Sequence, residues 1–223
     1  MSRFENHQTA LLAANPSISG EALSNTLDSR GPDFAKFVVD HGLGPLWHER
    51  TGREEFLESR RVAEVLFAAQ EHALKEVDGA LDSAGIDYVV IKGGANRHLV
   101  HEPPSIRACG DLDLLVRPAD RLAAAATLAD AGFAAYPRAK NISIELFLTR
   151  GNVDIDLHWR LMRDGRLRNE DVGEMMDRRR RVAGQWMLDA DDALFLLLVH
   201  PAFAKHLGSW EMGLHRVADI RAW

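Results

Sequence analysis

A single cysteine, Cys109, means that no disulfide can form within the chain. There is no apolar run of membrane length either. The longest, Ala193 to Val199, is bracketed by Asp191, Asp192 and His200 and falls far short of the roughly 20 residues a spanning helix needs. It reads instead as a buried helix. The N-terminus (MSRFENHQTALLAANPS) lacks the unbroken apolar stretch of a signal peptide, so a cytoplasmic protein is expected. Positive charge is in deficit, with 27 Lys and Arg against 33 Asp and Glu and a net charge of −6. No general positive field then draws in polyanions or anionic lipid, and neither a membrane nor nucleic acid is expected as a partner. Internal repeats and low-complexity segments are absent. What remains is 223 residues, 46% hydrophobic, enough for one sizeable domain or a small catalytic core with a helical appendage.

Up to about Gly85 the pattern is helical, most clearly where Val62, Leu66, Ala69, Ala73, Val77 and Leu81 recur three or four apart. Gly85 stands where a glycine following a helix belongs. The period then changes. Asp87 to Ile91 is short, β-branched and aromatic, the pattern of a buried strand, and Lys92-Gly93-Gly94 ends it. Glycines permit close approach to a ligand, and a short helix over Ala95 to Val100 would aim its free N–H groups at the turn, forming a phosphate cradle. Two prolines, Pro103 and Pro104, break that helix.

A strand over Asp111 to Val116 follows, in which Asp111 and Asp113 alternate with Leu112 and Leu114 and so project from one face. Pro118 suits the first turn of the next helix, with Asp120 at its positive end and Gly132 after its close. Phe133 to Tyr136 and Ile142 to Leu148 read as strands, the second turning at Arg150-Gly151-Asn152 into Val153 to Trp159. Along that last strand Asp154, Asp156 and His158 share a face. After Leu161 helices return, with a basic run at Arg178 to Arg181 and a short strand at Trp186 to Leu188.

Alternating acids on one strand are, by themselves, as compatible with a solvated sheet face as with metal binding. With a third acid on a neighbouring strand, Asp154 or Asp156, they can converge on hard divalent cations, Mg2+ first and Mn2+ second. Mg2+ takes oxygen ligands at about 2.0–2.1 Å and leaves positions for water and substrate phosphates. Paired ions roughly 3.5–4 Å apart assist in-line phosphoryl displacement.

The succession of a strand, Gly93-Gly94, a short helix, an Asp-x-Asp strand and a later acidic strand resembles the nucleotidyltransferase superfamily, whose fold is that of DNA polymerase beta. More narrowly, Ile91-Lys92-Gly93, Arg107, Gly110 to Asp120 and Val153 to Leu161 (VDIDLHWRL) are similar to the bacterial uncharacterised nucleotidyltransferase family. Looser similarity covers Leu196 to His200 and Arg216 to Ile220. The resemblance implies an α+β fold, a small mixed β-sheet flanked by N-terminal and C-terminal helices. It divides the chain into a helical region at 1–85, a nucleotidyltransferase core at 86–161 and a C-terminal helical region at 162–223. Family members often run longer at the C-terminus, which leaves a complete and a truncated C-terminal lobe both open as readings. Sixteen residues separate Gly94 from Asp111, more than in the shortest superfamily examples, and this Pro-Pro loop is a candidate for shaping the acceptor site.

The resemblance assigns Asp111, Asp113 and Asp156 as catalytic metal ligands, with Asp156 preferred over Asp154 and also placed to accept a proton. Gly93 and Gly94 are expected to approach the triphosphate of a nucleotide such as ATP. Lys92 and Arg107 are expected either to neutralise its outer phosphates or to be ordinary exposed cations. His158 is expected to touch substrate or support the acids. Cys109 and the pair His200 and His206 are read as packing residues, and Arg178 to Arg181 as a solvated run.

The leading expectation is transfer of a nucleoside monophosphate from a nucleoside triphosphate to a hydroxyl or phosphate of a small-molecule, peptide or protein acceptor, with release of pyrophosphate. An antitoxin-like or regulatory nucleotide-binding module acting on a protein partner is the alternative, and an exposed apolar helix face would favour it. A non-catalytic nucleotide-binding scaffold comes third, because no metal carboxylate of the motif is missing.

Overall fold

The computed structural model describes residues 3–136, 144–163, 165–168, 171–203 and 213–223. Five helices come first: α1 (Arg3–Ala10), α2 (Gly20–Arg30), α3 (Pro32–Asp40), α4 (Gly44–Thr51) and α5 (Leu57–Ser83). Ser19 starts α2 by accepting a hydrogen bond from the Ala22 N–H, and Pro32 opens α3 where no N–H is needed. Their apolar faces meet around Phe34, Trp47 and Phe56, and the Trp47 ring N–H donates to the Ala10 carbonyl at 2.8 Å. Ile106, Leu214 and Ala218 enter the same cluster from distant parts of the chain.

Helix α5 continues from this cluster onto the sheet, which it covers with Ala73, Leu74, Val77 and Leu81. The apolar stripe read from the sequence holds in this second half only. Val62 is 49% exposed, while Ala63 and Gln70 face inward in its place. At the far end Gly85 adopts a φ of 67°, with its N–H bonded to Asp82 O and that of Ile86 to Leu81 O. This pair of bonds closes the helix and needs a left-handed residue, hence glycine.

Seven strands form one mixed sheet: β1 (Tyr88–Ile91), β2 (Leu112–Val116), β3 (Ala134–Ala135), β4 (Glu145–Arg150), β5 (Val153–His158), β6 (Arg180–Val182) and β7 (Gln185–Met187). Their order is β3-β4-β5-β2-β1-β7-β6, parallel at β2–β5 and β1–β7 and antiparallel elsewhere. The remaining helices are α6 (Lys92–Val100), α7 (Arg121–Asp130), α8 (Val172–Asp177), α9 (Ala190–Phe203) and α10 (His215–Ala222). The fold is therefore the α+β arrangement expected, a mixed sheet flanked by helices from both ends of the chain.

Both faces of the central strands are buried, which is why they read as near-continuous apolar runs. Val90, Leu112, Leu114, Ile155 and Leu157 face α5 and α7. Val89, Ile91 and Leu115 face the other way, towards Met176, Leu188 and Leu196. Asp113 alternates with Leu112 and Leu114, so it points to this second side, where α9 lies.

Several boundaries differ from the sequence reading. Asp111 falls one residue before β2, because the ladder to β5 begins at Leu112 opposite Ile155. Helix α6 starts at Lys92 rather than Ala95, which puts both glycines inside its first turn. Pro118 lies in a turn before α7, and Asp120 sits at the cap position without a side-chain hydrogen bond. The β4–β5 hairpin turns at Gly151-Asn152 as expected, with β4 reaching Arg150, while 142 and 143 lie outside the described residues. Only one face of α9 is covered: Ala193, Leu196 and Leu197 are buried but Phe195 and Leu198 are exposed. The basic run is largely solvated as expected, with Arg178, Arg180 and Arg181 exposed, and it is also ion-paired, Arg178 with Asp192, Arg179 with Asp87 and Arg181 with Asp78.

Candidate active site

Strand register brings the acids together. Asp113 lies opposite Ile91 on one side and Asp156 on the other, at the end of the sheet where β1 passes into α6. His158, two residues along β5, is on the same face and buried. Carboxylate oxygens of Asp113 and Asp156 and a ring nitrogen of His158 all lie within 4.8 Å of one another. Asp111 does not join this close group. It lines the adjoining cleft, two residues before Asp113. Asp154 faces the same way as Asp156 but is opposite Thr149, whose hydroxyl donates to its Oδ1 at 2.8 Å.

Lys92 holds Asp113 directly, with Nζ 2.6 Å from Oδ1 and 3.0 Å from His158 Nε2. His158 Nε2 is itself 2.9 Å from the same Asp113 oxygen, while its Nδ1 approaches Glu145 at 3.3 Å without hydrogen-bond alignment. Lys92 has a φ of 54°, a left-handed conformation uncommon for a side-chain-bearing residue. Such strain is sustained where the surroundings over-determine it, and it collects at functional sites.

Charges in this group act on one another. Burial alone would raise the Asp113 carboxyl, but the Lys92 ammonium and the His158 imidazole outweigh it and hold Asp113 well below the usual carboxylate range. Asp156 moves the other way. Burial, followed by repulsion from Asp113, Asp111 and Glu145, pushes its carboxyl up to about 7. His158 is lowered by burial and by Lys92.

The donor set fits a hard divalent cation, since two carboxylates of one buried face converge with an imidazole beside them. Coordination between Asp113 and His158 would require the Lys92 ammonium to leave the position it holds. The neighbouring turn leaves room for phosphates. A Cβ on Gly93 would come 2.7 Å from Cys109 Sγ, and one on Gly94 would come 2.9 Å from Val90 Cγ1, so neither position accepts a side chain without displacement. Ile91 provides no side-chain cap, and the first N–H groups of α6 are left for a ligand.

A cleft of about 210 Å³ opens beside the acids, lined by Lys92, Gly93, Asp111 and Asp113 and by His200, His215 and Arg216 of the C-terminal helical segment. Arg107 also reaches it, but the exposed-cation reading fails. The side chain is buried, and its Nε and Nη2 donate to Asp219 of α10 at 2.9 Å. Asp219 also lies 2.8 Å from His101 Nε2. Cys109 is buried, with its thiol pushed up to about 11 by burial, as suits a packing residue. His206 lies outside the described residues. The Pro-Pro loop docks against the N-terminal helices, where Ser105 accepts from Arg60 at 3.0 Å and Ile106 joins their core.

Sequence reasoning missed His200, His215, Arg216 and Asp219 as cleft residues. The available signal was helical spacing, because His215 and Asp219 are four apart, Arg216 and Asp219 three apart, and these share one side of a short helix.

A mixed sheet that sets an acid pair on adjacent strands beside a Gly-Gly helix start places the chain among the nucleotidyltransferases. The family model described as "Uncharacterised nucleotidyltransferase" matches residues 35–223, and the chain belongs to that family. A search of curated proteins finds no match. Among solved structures the chain is similar to the antibiotic-resistance factor ANT(2'')-Ia in solution, at 12% identity over 68% of this chain and 83% of that one, with a TM-score of 0.49. It is also similar to ANT(2'')-Ia crystallised with adenylyl-2''-tobramycin, at 13% identity over 69% and 95%, with a TM-score of 0.45. Among the described residues no helix is long and apolar enough to cross a membrane.

Proposed function

We propose that the protein is a metal-dependent nucleotidyltransferase that moves a nucleoside monophosphate from a triphosphate such as ATP to a hydroxyl or phosphate of a small-molecule, peptide or protein acceptor. The observation that carries this is the pairing of Asp113 with Asp156 across β2 and β5, directly beside the uncapped start of α6. Asp113 and Asp156, with Asp111 at the lip of the cleft, would hold Mg2+ or Mn2+. Such ions, when bound, neutralise phosphate charge and lower the pKa of the attacking group.

The chain's own groups do the positioning. The first-turn N–H groups of α6 face the phosphates, and Gly93 and Gly94 let the backbone approach them. Lys92, moved off Asp113, adds a positive charge on the same side. The acceptor oxygen bonds to the α-phosphorus as the bond from that phosphorus to the β-bridging oxygen breaks. Asp156 takes the acceptor's proton, and pyrophosphate leaves towards the cleft. His158 keeps Asp113 oriented. Asp154, engaged by Thr149, stays out of the reaction.

The test is incubation with each α-labelled nucleoside triphosphate, Mg2+ and a cell extract, followed by a search for the species that gains label. Wild type should transfer label and Asp113→Asn should not. No transfer together with no Mg2+-dependent nucleotide binding would sink the proposal. The alternative of a module acting on a protein partner is favoured by one observation, the exposed Phe195 and Leu198 on α9 with Val217 and Ile220 on α10. Label appearing on protein rather than on small molecules would agree with both.

A further inference from the structure

The cleft is lined by charges of both signs, and one cation in it has no answering charge among the described residues. Arg107, the arginine that the sequence points to for the leaving phosphates, is bound to Asp219. Arg216 lies on the same helix as Asp219 and lines the same cleft as Lys92 and Gly93. Its Nη1 is buried without a hydrogen-bond partner, and among the described residues no carboxylate reaches ion-pair distance of it. A guanidinium stays charged in proteins, so a partly buried one without a counter-charge costs stability and calls for a ligand.

The two imidazoles beside Arg216 carry no charge of their own. His200 is pushed down to about 3 by burial, then by Lys92, with Arg216 adding to the effect. His215 falls to about 3 by burial, then by Arg107, again with Arg216 contributing. Both imidazoles are therefore neutral and add no competing charge, though each can still hydrogen-bond an anion. The cleft, at about 210 Å³, is below the ~300 Å³ at which pockets begin to enclose whole small molecules. It suits part of a nucleotide.

We infer that Arg216, with Lys92 and the first turn of α6, forms the seat of the β- and γ-phosphates and so of the departing pyrophosphate, while Arg107 positions that seat through Asp219 without touching phosphate. This rests on the nucleotidyl-transfer reading above. Arg216 presents a fork of N–H donors suited to paired phosphate oxygens. Its unpartnered nitrogen distinguishes it from Arg107, because among the described residues no hydrogen bond is made by the Arg216 Nη1 that removing the side chain would break.

The test is calorimetric titration of the full chain with inorganic tripolyphosphate in Mg2+ buffer, with thermal melts alongside. Wild type should bind. Arg216→Met should weaken binding roughly 10- to 100-fold, the worth of a charge-assisted pair, with no fall in melting temperature. Arg216→Lys, which keeps charge but loses the fork, should fall between. Arg107→Met should lower the melting temperature and, by loosening α10, also weaken binding. If both Arg216 variants bind like wild type, or wild type binds no tripolyphosphate, the inference is overturned. If wild type binds tripolyphosphate through Arg216 yet transfers no label from any nucleotide, the seat stands and the transfer reading fails.

Discussion

Replacing Asp156 by asparagine should stabilise the metal-free protein while removing its activity. Burial, followed by repulsion from Asp113, Asp111 and Glu145, raises the Asp156 carboxyl from 3.8 to about 7. At about 1.4 kcal/mol for each tenfold change in proton affinity, an unscreened rise of that size corresponds to roughly 4 kcal/mol. Asp156 is only partly buried, and solvent screening brings the figure to about 2 kcal/mol. No hydrogen bond to its carboxylate is seen among the described residues, so the amide loses no partner. For a chain of this length, a gain of that order is a rise in melting temperature of roughly 4–8 °C. The sign with pH is fixed by linkage. A carboxyl that holds its proton more tightly when folded imposes no penalty below pH 3.8; the penalty grows through the interval and is complete above about pH 7. Melts of Asp156→Asn and wild type in EDTA should differ most at pH 8 and converge as pH falls towards 4. Mg2+ should then raise the melting temperature of wild type and leave the variant nearly unmoved. A variant less stable than wild type at pH 8, or a gain that ignores pH, would refute the reasoning.

Arg107→Met leaves Asp219 charged and buried, and should cost about 3–5 kcal/mol by chemical denaturation; the double variant with Asp219→Leu should be less destabilised than this single one. Gly93→Ala sets a Cβ 2.7 Å from Cys109 Sγ and should cost roughly 1–3 kcal/mol, much of it recovered when Cys109→Ala is added. Asp154→Ala removes only the bond from Thr149, at about 1 kcal/mol, and label transfer should persist where Asp156→Ala abolishes it.

How far the site could be read in advance depended on the distance over which its geometry is set. Alternation was enough to predict that Asp111 and Asp113 share a face of one strand and Asp154, Asp156 and His158 a face of another, because the pleat is local. It could not say that Asp113 and Asp156 are direct neighbours, since register belongs to the pairing of two strands 40 or so positions apart. Asp111 illustrates the edge of the method, as the alternation continues to it although the ladder stops at Leu112. The stripe on α5 failed over its first half for a related reason. That half packs on the N-terminal helices and the Pro-Pro loop rather than on the sheet, and the inward face turns accordingly. Arg107 was legible as a cation but not as a paired one, because Asp219 is 112 positions away.

Helix α10 is where these long-range dependencies meet. Leu214 and Ala218 pack it into the N-terminal helical cluster, while Asp219 fastens it to Arg107 and His101 in the segment leading to β2. Both anchors are needed before Arg216 can line the same cleft as Lys92. The acidic group, by contrast, is assembled by the pairing of β2 with β5 and needs only the sheet. The two groups therefore have separate structural origins, so loosening α10 should weaken the hold on phosphates while leaving the convergence of Asp113 and Asp156 intact. The buried Arg107–Asp219 pair follows the same logic. An ion pair there stabilises little more than apolar packing would, but it fixes the orientation of α10 relative to the phosphate turn, and that orientation places Arg216.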